Sequence, residues 1–210
     1  AARSRGVTVT ALVLAFMTEA AYAASDESRA AIQIQVPVNM RKYCPSRTLR
    51  NFSMYFSVRT PRAKAGDAQQ LLPDISRQLA EGGSEQSMRR MLASTTQMVH
   101  LLSCVPLAVK RPAARLAYGF LGERAFTSTL SNLGAARLPE NMAPHVRKLD
   151  FVLGTGEQSR AACAMVTLGR CAVLSVTKLT EDKSFETRLL ELFEAADVPV
   201  KLSGSMLYGA

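Results

Sequence analysis

Tryptophan is absent from this chain of 210 residues, there are 2 histidines, and the 4 cysteines include no C-x-x-C pair. These shortages exclude much. Structural zinc needs close-set ligand pairs, which His100, His145, Cys44, Cys104, Cys163 and Cys171 do not form, so no metal site is expected. Scattered single thiols fit reduced, cytoplasmic usage better than a disulfide framework. No apolar run reaches the roughly 18 to 20 uncharged residues of a spanning helix, so no membrane is expected among the partners. With 48% apolar and 20% charged residues, the chain is neither disordered nor collagen-like. Its length suffices for one substantial core or two small ones. It starts without a Met and inside a helical pattern, so the expectation is a piece of something longer.

Charge is present in excess but unevenly. Lys and Arg number 26 against 17 Asp and Glu, a net charge of +9. The excess is concentrated near the amino-terminal end. No acid occurs between Glu27 and Asp67, yet Arg29, Arg41, Lys42, Arg47, Arg50, Arg59, Arg62 and Lys64 all fall there. Such a stretch reads as a solvated basic face, or one that meets an acidic surface outside this chain; the sharper alternative is an anion site for a phosphorylated ligand. Nucleic acid is a poor third, because the sequence has no zinc-finger spacing, helix-turn-helix pattern or aromatic RNA-binding signature.

Periodicity gives the elements. Arg3, Arg5, the apolar stretch from Val7 to Ala21 and Ala21-Tyr22-Ala23 imitate a signal peptide. However, Val9, Leu12, Val13, Phe16, Ala20 and Ala23 recur at helical spacing, Glu19 interrupts the stretch, and Thr8 or Thr10 can cap it. The expectation is an amphipathic helix packed on a sheet. After the polar break Ser25-Asp26-Glu27-Ser28, Ile32, Ile34 and Val36 alternate as a half-buried strand that Pro37 should end or place at an edge. Residues 52–59 alternate again. Helices follow over about 67–79, kinked or restarted near Pro73; from Ser84 as N-cap, with a stripe of Met88, Met91, Leu92, Thr95, Val99 and Leu102 that reads as core filling; and over about 106–121, interrupted by Pro112. Strands are then expected at 126–131, 148–153, 161–168 and 172–177, the last two as a hairpin around Gly169-Arg170. A helix opened by Thr180 or Asp182 comes next, and 198–202 adds an edge strand. The whole of 1–210 reads as a single α/β domain, a mixed sheet covered by helices.

Groups able to do chemistry are few. His100 sits in a helical stripe and His145 in a proline-flanked turn, neither with a carboxylate at motif spacing. Gly154-Thr155-Gly156 lacks the third glycine and the strand-loop-helix setting of a dinucleotide site. Asp150, between Leu149 and Phe151, reads as a buried acid needing a cationic partner, more a structural ion pair than a catalyst. Ser128, Thr129, Ser131 and Asn132 form a strand end dense in hydroxyl and amide groups. Such groups either serve an oxyanion without titrating or simply close a polar turn.

Several stretches, in order, resemble the carboxy-terminal lobe of the chloramphenicol-acetyltransferase-like superfamily, which includes condensation domains and bacterial alcohol-acetyltransferase-like proteins. They are Val36-Pro37-Val38-Asn39-Met40-Arg41-Lys42-Tyr43, Ser46 to Phe52, Thr129-Leu130-Ser131-Asn132-Leu133-Gly134 and Leu149-Asp150-Phe151-Val152-Leu153-Gly154. The resemblance implies one lobe of a coenzyme-A-dependent acyltransferase fold. The acid/base histidine of that family lies in a His-His-x-x-x-Asp-Gly motif of the amino-terminal lobe, which is absent here, so this chain would supply one wall of a substrate tunnel. It also implies that Asn51, Ser131 and Asn132 face the tunnel or its crossover, with Ser131 and Asn132 as oxyanion donors, and that Asp150-Phe151 match a mainly structural signature. Val152-Leu153-Gly154 departs from the family's Gly-Trp-Gly, which speaks against catalysis by that loop. Acyl-coenzyme A would be a co-substrate rather than a resident cofactor, with Arg41, Lys42, Arg47 and Arg50 meeting its phosphates. The acceptor would be an alcohol or amine and the acyl group acetyl. The partners implied are the missing lobe, and a second copy where surface meant for that lobe is left bare. The alternative is a non-catalytic binding or scaffold module of the same fold, engaging a carrier protein through the basic stretch.

Overall fold

The structure is a computed structural model, and it describes residues 1–25, 30–64, 66–121, 126–156, 159 and 161–204. Among the described residues five α-helices, α1 (Val9–Ala23), α2 (Ala68–Gly82), α3 (Glu85–Ser103), α4 (Leu107–Leu121) and α5 (Ser184–Ala195), accompany five strands. These are β1 (Ala31–Asn39), β2 (Ser53–Pro61), β3 (Ser128–Ala135), β4 (Ala161–Leu168) and β5 (Cys171–Thr177). The sheet order is β2-β1-β3-β4-β5. β1–β3 and β3–β4 are parallel, and antiparallel hairpins close both edges. The expected mixed sheet covered by helices is therefore present.

Helix α1 starts where the Thr8 hydroxyl accepts the Ala11 N–H, and it is buried on every side from Ala11 to Tyr22. It is thus not amphipathic, as its spacing suggested, but apolar all round, the pattern of a helix enclosed by its neighbours. Ile32, Ile34, Val36, Leu130, Ala161, Cys163 and Met165 form the sheet side of the same cluster, with Leu71, Leu72 and Ile75 of α2 and Phe185 and Leu189 of α5 flanking α1. Phe16 meets Phe193 edge to face at 5.2 Å between centroids. The Tyr22 hydroxyl donates to the carbonyl of Thr60 at 2.5 Å and accepts the Ile32 N–H, tying the helix end to β1 and β2.

Both prolines expected to interrupt helices sit inside continuous ones, Pro73 in α2 and Pro112 in α4. Asp67 caps α2 by accepting the Gln69 N–H at 2.8 Å, and Ser84 caps α3 by accepting the Ser87 N–H. Pro37 does not end β1. Pairing with β3 is confined to Ile34 and Gln35, so beyond Gln35 the strand borders β2 alone, a setting that tolerates a missing donor. Neither 148–153 nor 198–202 forms a strand. The stripe on α3 is not core filling either: Met88 alone is buried, and the helix runs past the edge of the domain. The 169–170 hairpin is as expected, with Gly169 at φ +57°. Of the polar break and the basic stretch, Asp26, Glu27, Ser28 and Arg29 lie outside the described residues.

One acid is enclosed with α1. Both carboxylate oxygens of Glu19 accept the Gly66 N–H at 3.1 Å, a geometry allowed by the φ of +123° at Gly66, which favours glycine. Burial raises the Glu19 pKa above the ordinary value of 4.5, against the lowering effects of Gly66 and Arg188. The folded chain therefore holds this proton to higher pH than the unfolded chain. The stability contributed is complete below 4.5 and lost as pH rises through the raised value. In thermal melts from pH 7 downward, the wild type should gain on Glu19→Gln as that window is crossed; a gap that stays constant or moves the other way contradicts the assignment.

Candidate functional site

Strand alternation divides the sheet. Ile34, Ser128 and Ala161 lie in register on the side of α1, whereas Gln35, Thr129 and Ala162 form the next row, on the opposite face. Over that row lies a cavity of about 280 Å³ walled by Phe126, Leu153, Gly154, Gly156 and Ser159. The segment that roofs it is pinned from below. The Thr177 hydroxyl bonds the carbonyls of Leu153 at 2.9 Å and Ala162 at 3.1 Å. Phe126 is braced by Tyr55 at 5.6 Å in a T-shaped pair. The floor carries one side-chain bond, from the Thr129 hydroxyl to Gln35 Oε1 at 3.2 Å. Among the described residues no lining side chain titrates near neutrality, so those residues offer amide and hydroxyl groups and no base.

Ser131 lies on the same face as Thr129, two residues along, and is buried without lining the cavity. Asn132 points the other way. Its amide donates to Thr10 Oγ1 at 3.0 Å and accepts the Gly134 N–H at 2.7 Å, closing the strand end onto the start of α1. The two residues paired as oxyanion donors thus stand on opposite faces of the sheet. Asn51 is exposed and accepts the Ser53 hydroxyl at 2.7 Å. Asp150 is not a buried acid. In this segment Leu149, Phe151 and Leu153 are half-buried and the alternate residues exposed, leaving Asp150 half exposed and paired with Lys148 at 3.0 Å.

The basic loop follows β1 at the end where both parallel pairs terminate. Arg41 is committed within it: its guanidinium donates to the carbonyls of Thr48 at 2.7 Å and Arg50 at 2.9 Å and lies 5.9 Å from the Phe52 ring. Lys42, Arg47 and Arg50 are exposed around this brace, with Lys42 over the Tyr43 ring. His100 and His145 are exposed and away from the cavity. The Cys163 thiol, fully buried, is pushed up to about 12 by that burial and is no nucleophile at neutral pH. Among the described residues no group of His, Cys, Asp and Glu could hold a metal.

Gln35, Phe126 and Ser159 were not readable as site residues. Gln35 looked like the solvent side of a half-buried strand; it becomes a floor only because β3 pairs beside it and a distant segment passes above. No protein-family model matches the chain, and neither does any curated protein. Among solved structures it is similar to the epimerization domain from the third module of tyrocidine synthetase B, with 15% identity over 90% of this chain and 42% of that one and a TM-score of 0.47. A structure of condensation domain-mediated chain release from the enacyloxin polyketide synthase is also similar, with 16% identity over 98% of this chain and 40% of that one and a TM-score of 0.49. The chain spans about two-fifths of the length of both.

The two polar strand residues separate by stability. Asn132→Ala removes two bonds at a part-buried junction and should destabilise by about 1–3 kcal/mol in denaturant unfolding, with Thr10→Ala giving a smaller loss that is not additive with it. Ser131→Ala should leave the midpoint nearly unchanged. Equal effects of the two alanine variants at 131 and 132 would contradict the division into faces.

Proposed function

We propose that the chain is the carboxy-terminal lobe of a coenzyme-A-dependent acyltransferase, whose proton acceptor resides on a lobe outside it. The observation that supports this most directly is the character of the cavity: hydrogen-bonding groups around a half-open volume, with no titratable side chain among the described lining residues. Such a wall positions a thioester carbonyl and leaves proton transfer to another surface. In the reaction, a base of the other lobe takes the hydroxyl or amine proton of the acceptor, the acceptor attacks the thioester carbon, and the tetrahedral oxyanion is held by neutral donors. Collapse breaks the carbon–sulfur bond, and the coenzyme A thiolate leaves and is protonated.

Gln35 is four residues short of Asn39, where β1 passes into the basic loop. At about 3.3 Å per residue this separates floor and loop by roughly 13 Å, a distance suited to phosphates at the loop and an acyl end in the cavity. Lys42, Arg47 and Arg50 are the cations placed to meet those phosphates; Arg41 acts through the loop it braces. Acetyl as the acyl group, an alcohol as acceptor and the ordered resemblance of residues 36–52, 129–134 and 149–154 belong to the same reading.

Calorimetric titration with acetyl-coenzyme A tests it. Binding should be measurable with the chain and fall at least about tenfold in Lys42→Gln/Arg47→Gln/Arg50→Gln, as expected when charge-assisted phosphate contacts are lost. A thiol-release assay with an alcohol panel should show no turnover by the chain alone. Unchanged binding in the triple variant, or turnover without any added lobe, contradicts the proposal.

A further inference from the structure

The departure of α3 and α4 from the core has its own consequence. α3 is fastened at its first turns only: Met88 is fully buried, and Arg89 pairs with Glu85 at 2.7 Å and donates to the Tyr43 carbonyl at 2.9 Å. Beyond that anchor the residues from 93 to 104 are all exposed, as are 106–109 and 111–116. Yet the stripe that begins at Met88 continues through Thr95, Met98, Val99 and Leu102 on one side of α3, while Thr96, Gln97 and His100 occupy the other. On α4, Val109, Ala113 and Leu116 share one side and Arg111 and Arg115 another. On these sides Val99 is 62% exposed and Leu116 64%. Apolar surface on this scale marks an interaction site.

Charge indicates what it meets. From Gln86 to Gly122 the sequence contains no acid, while Arg89, Arg90, Lys110, Arg111 and Arg115 lie there. The Arg89–Tyr43 bond joins this arm to the acid-free loop of Lys42, Arg47 and Arg50, at which Leu49 is fully exposed. Two such arms repel one another, which argues against a second copy. A polyanion such as nucleic acid accounts for the cations and leaves the Leu, Val and Met residues in water. The described apolar side chains are aliphatic and spread over two helices and a loop, and the hollow lined by Arg89, Leu92, Ala93, Thr96, Gln97 and His100 lies wide open to solvent instead of enclosing a fitted partner. A bilayer surface requires apolar area and positive charge without fitted shape. We propose that the α3–α4 arm and the Leu49 loop dock the chain on an anionic membrane surface, peripherally, since no described helix is long and apolar enough to cross a membrane. This departs from the expectation of no membrane partner, which took the α3 stripe to be core, and it does not depend on the acyltransferase reading.

Flotation of the full chain with vesicles tests it, using phosphatidylcholine alone and phosphatidylcholine mixed with phosphatidylglycerol. The chain should float with the mixed vesicles, bind the neutral ones weakly, and lose binding as salt rises. Val99→Ser/Leu102→Ser/Leu116→Ser should lower binding at least about tenfold with an unchanged melting temperature, because these side chains already face water. Arg47→Gln/Arg50→Gln/Arg111→Gln/Arg115→Gln should abolish the preference for anionic vesicles. Four results would overturn the proposal: no flotation with either vesicle; flotation unaffected by the serine variant, which is a bare charge effect; a dimer in lipid-free sedimentation that the serine variant dissolves; or capture of a soluble acidic protein in place of vesicles by the same residues.

Discussion

Enclosure of α1 is the constraint on which the rest of the fold depends. Twelve consecutive residues from Ala11 to Tyr22 are removed from water, and fully burying each large apolar side chain among them is worth about 1.5–3 kcal/mol. That gain outweighs the desolvation of the single carboxylate at Glu19, which is also compensated by the Gly66 N–H. A helix apolar all round needs neighbours on every side. The sheet provides one wall, α2 and α5 the flanks, and the Tyr22 hydroxyl fastens the end to the carbonyl of Thr60.

Because α1 claims one face of the sheet, anything else the sheet does belongs to the other face or to its strand ends. Gln35, Thr129 and Ala162 reach the opposite face by alternation alone, and the basic loop reaches the end of β1 because β1 must turn there to form its hairpin with β2. Asn132 shows the same division from the other side. One residue beyond Ser131, it is turned toward α1 and used for closure. The α3–α4 arm falls outside both layers, since α1, α2 and α5 already complete the apolar cover.

Where period and chemistry agreed, the elements were legible in the sequence. The alternation of Ile32, Ile34 and Val36, the Ser84 cap and the Gly169-Arg170 turn each depend on neighbours close in the chain. What was not legible depends on distant neighbours. Pro37 is tolerated because β3 pairs with so little of β1, and Asp150 is exposed because its segment lies over the sheet without joining it. The α3 stripe has the spacing of a core helix, and nothing in its own residues reveals that the core ends at Met88. The candidate site was legible in part: Thr129 stood out by its hydroxyl, but Gln35 and Phe126 are brought to it only by topology.

Native-state hydrogen exchange of the whole chain tests this account most directly, because protection follows local stability against opening. Amides of α1 and of β4 should be the slowest to exchange, opening only with global unfolding, while those of α3 beyond Ala93 and of α4 exchange far sooner. An α1 that exchanges as fast as the arm, or an arm as protected as α1, would show that the core lies elsewhere.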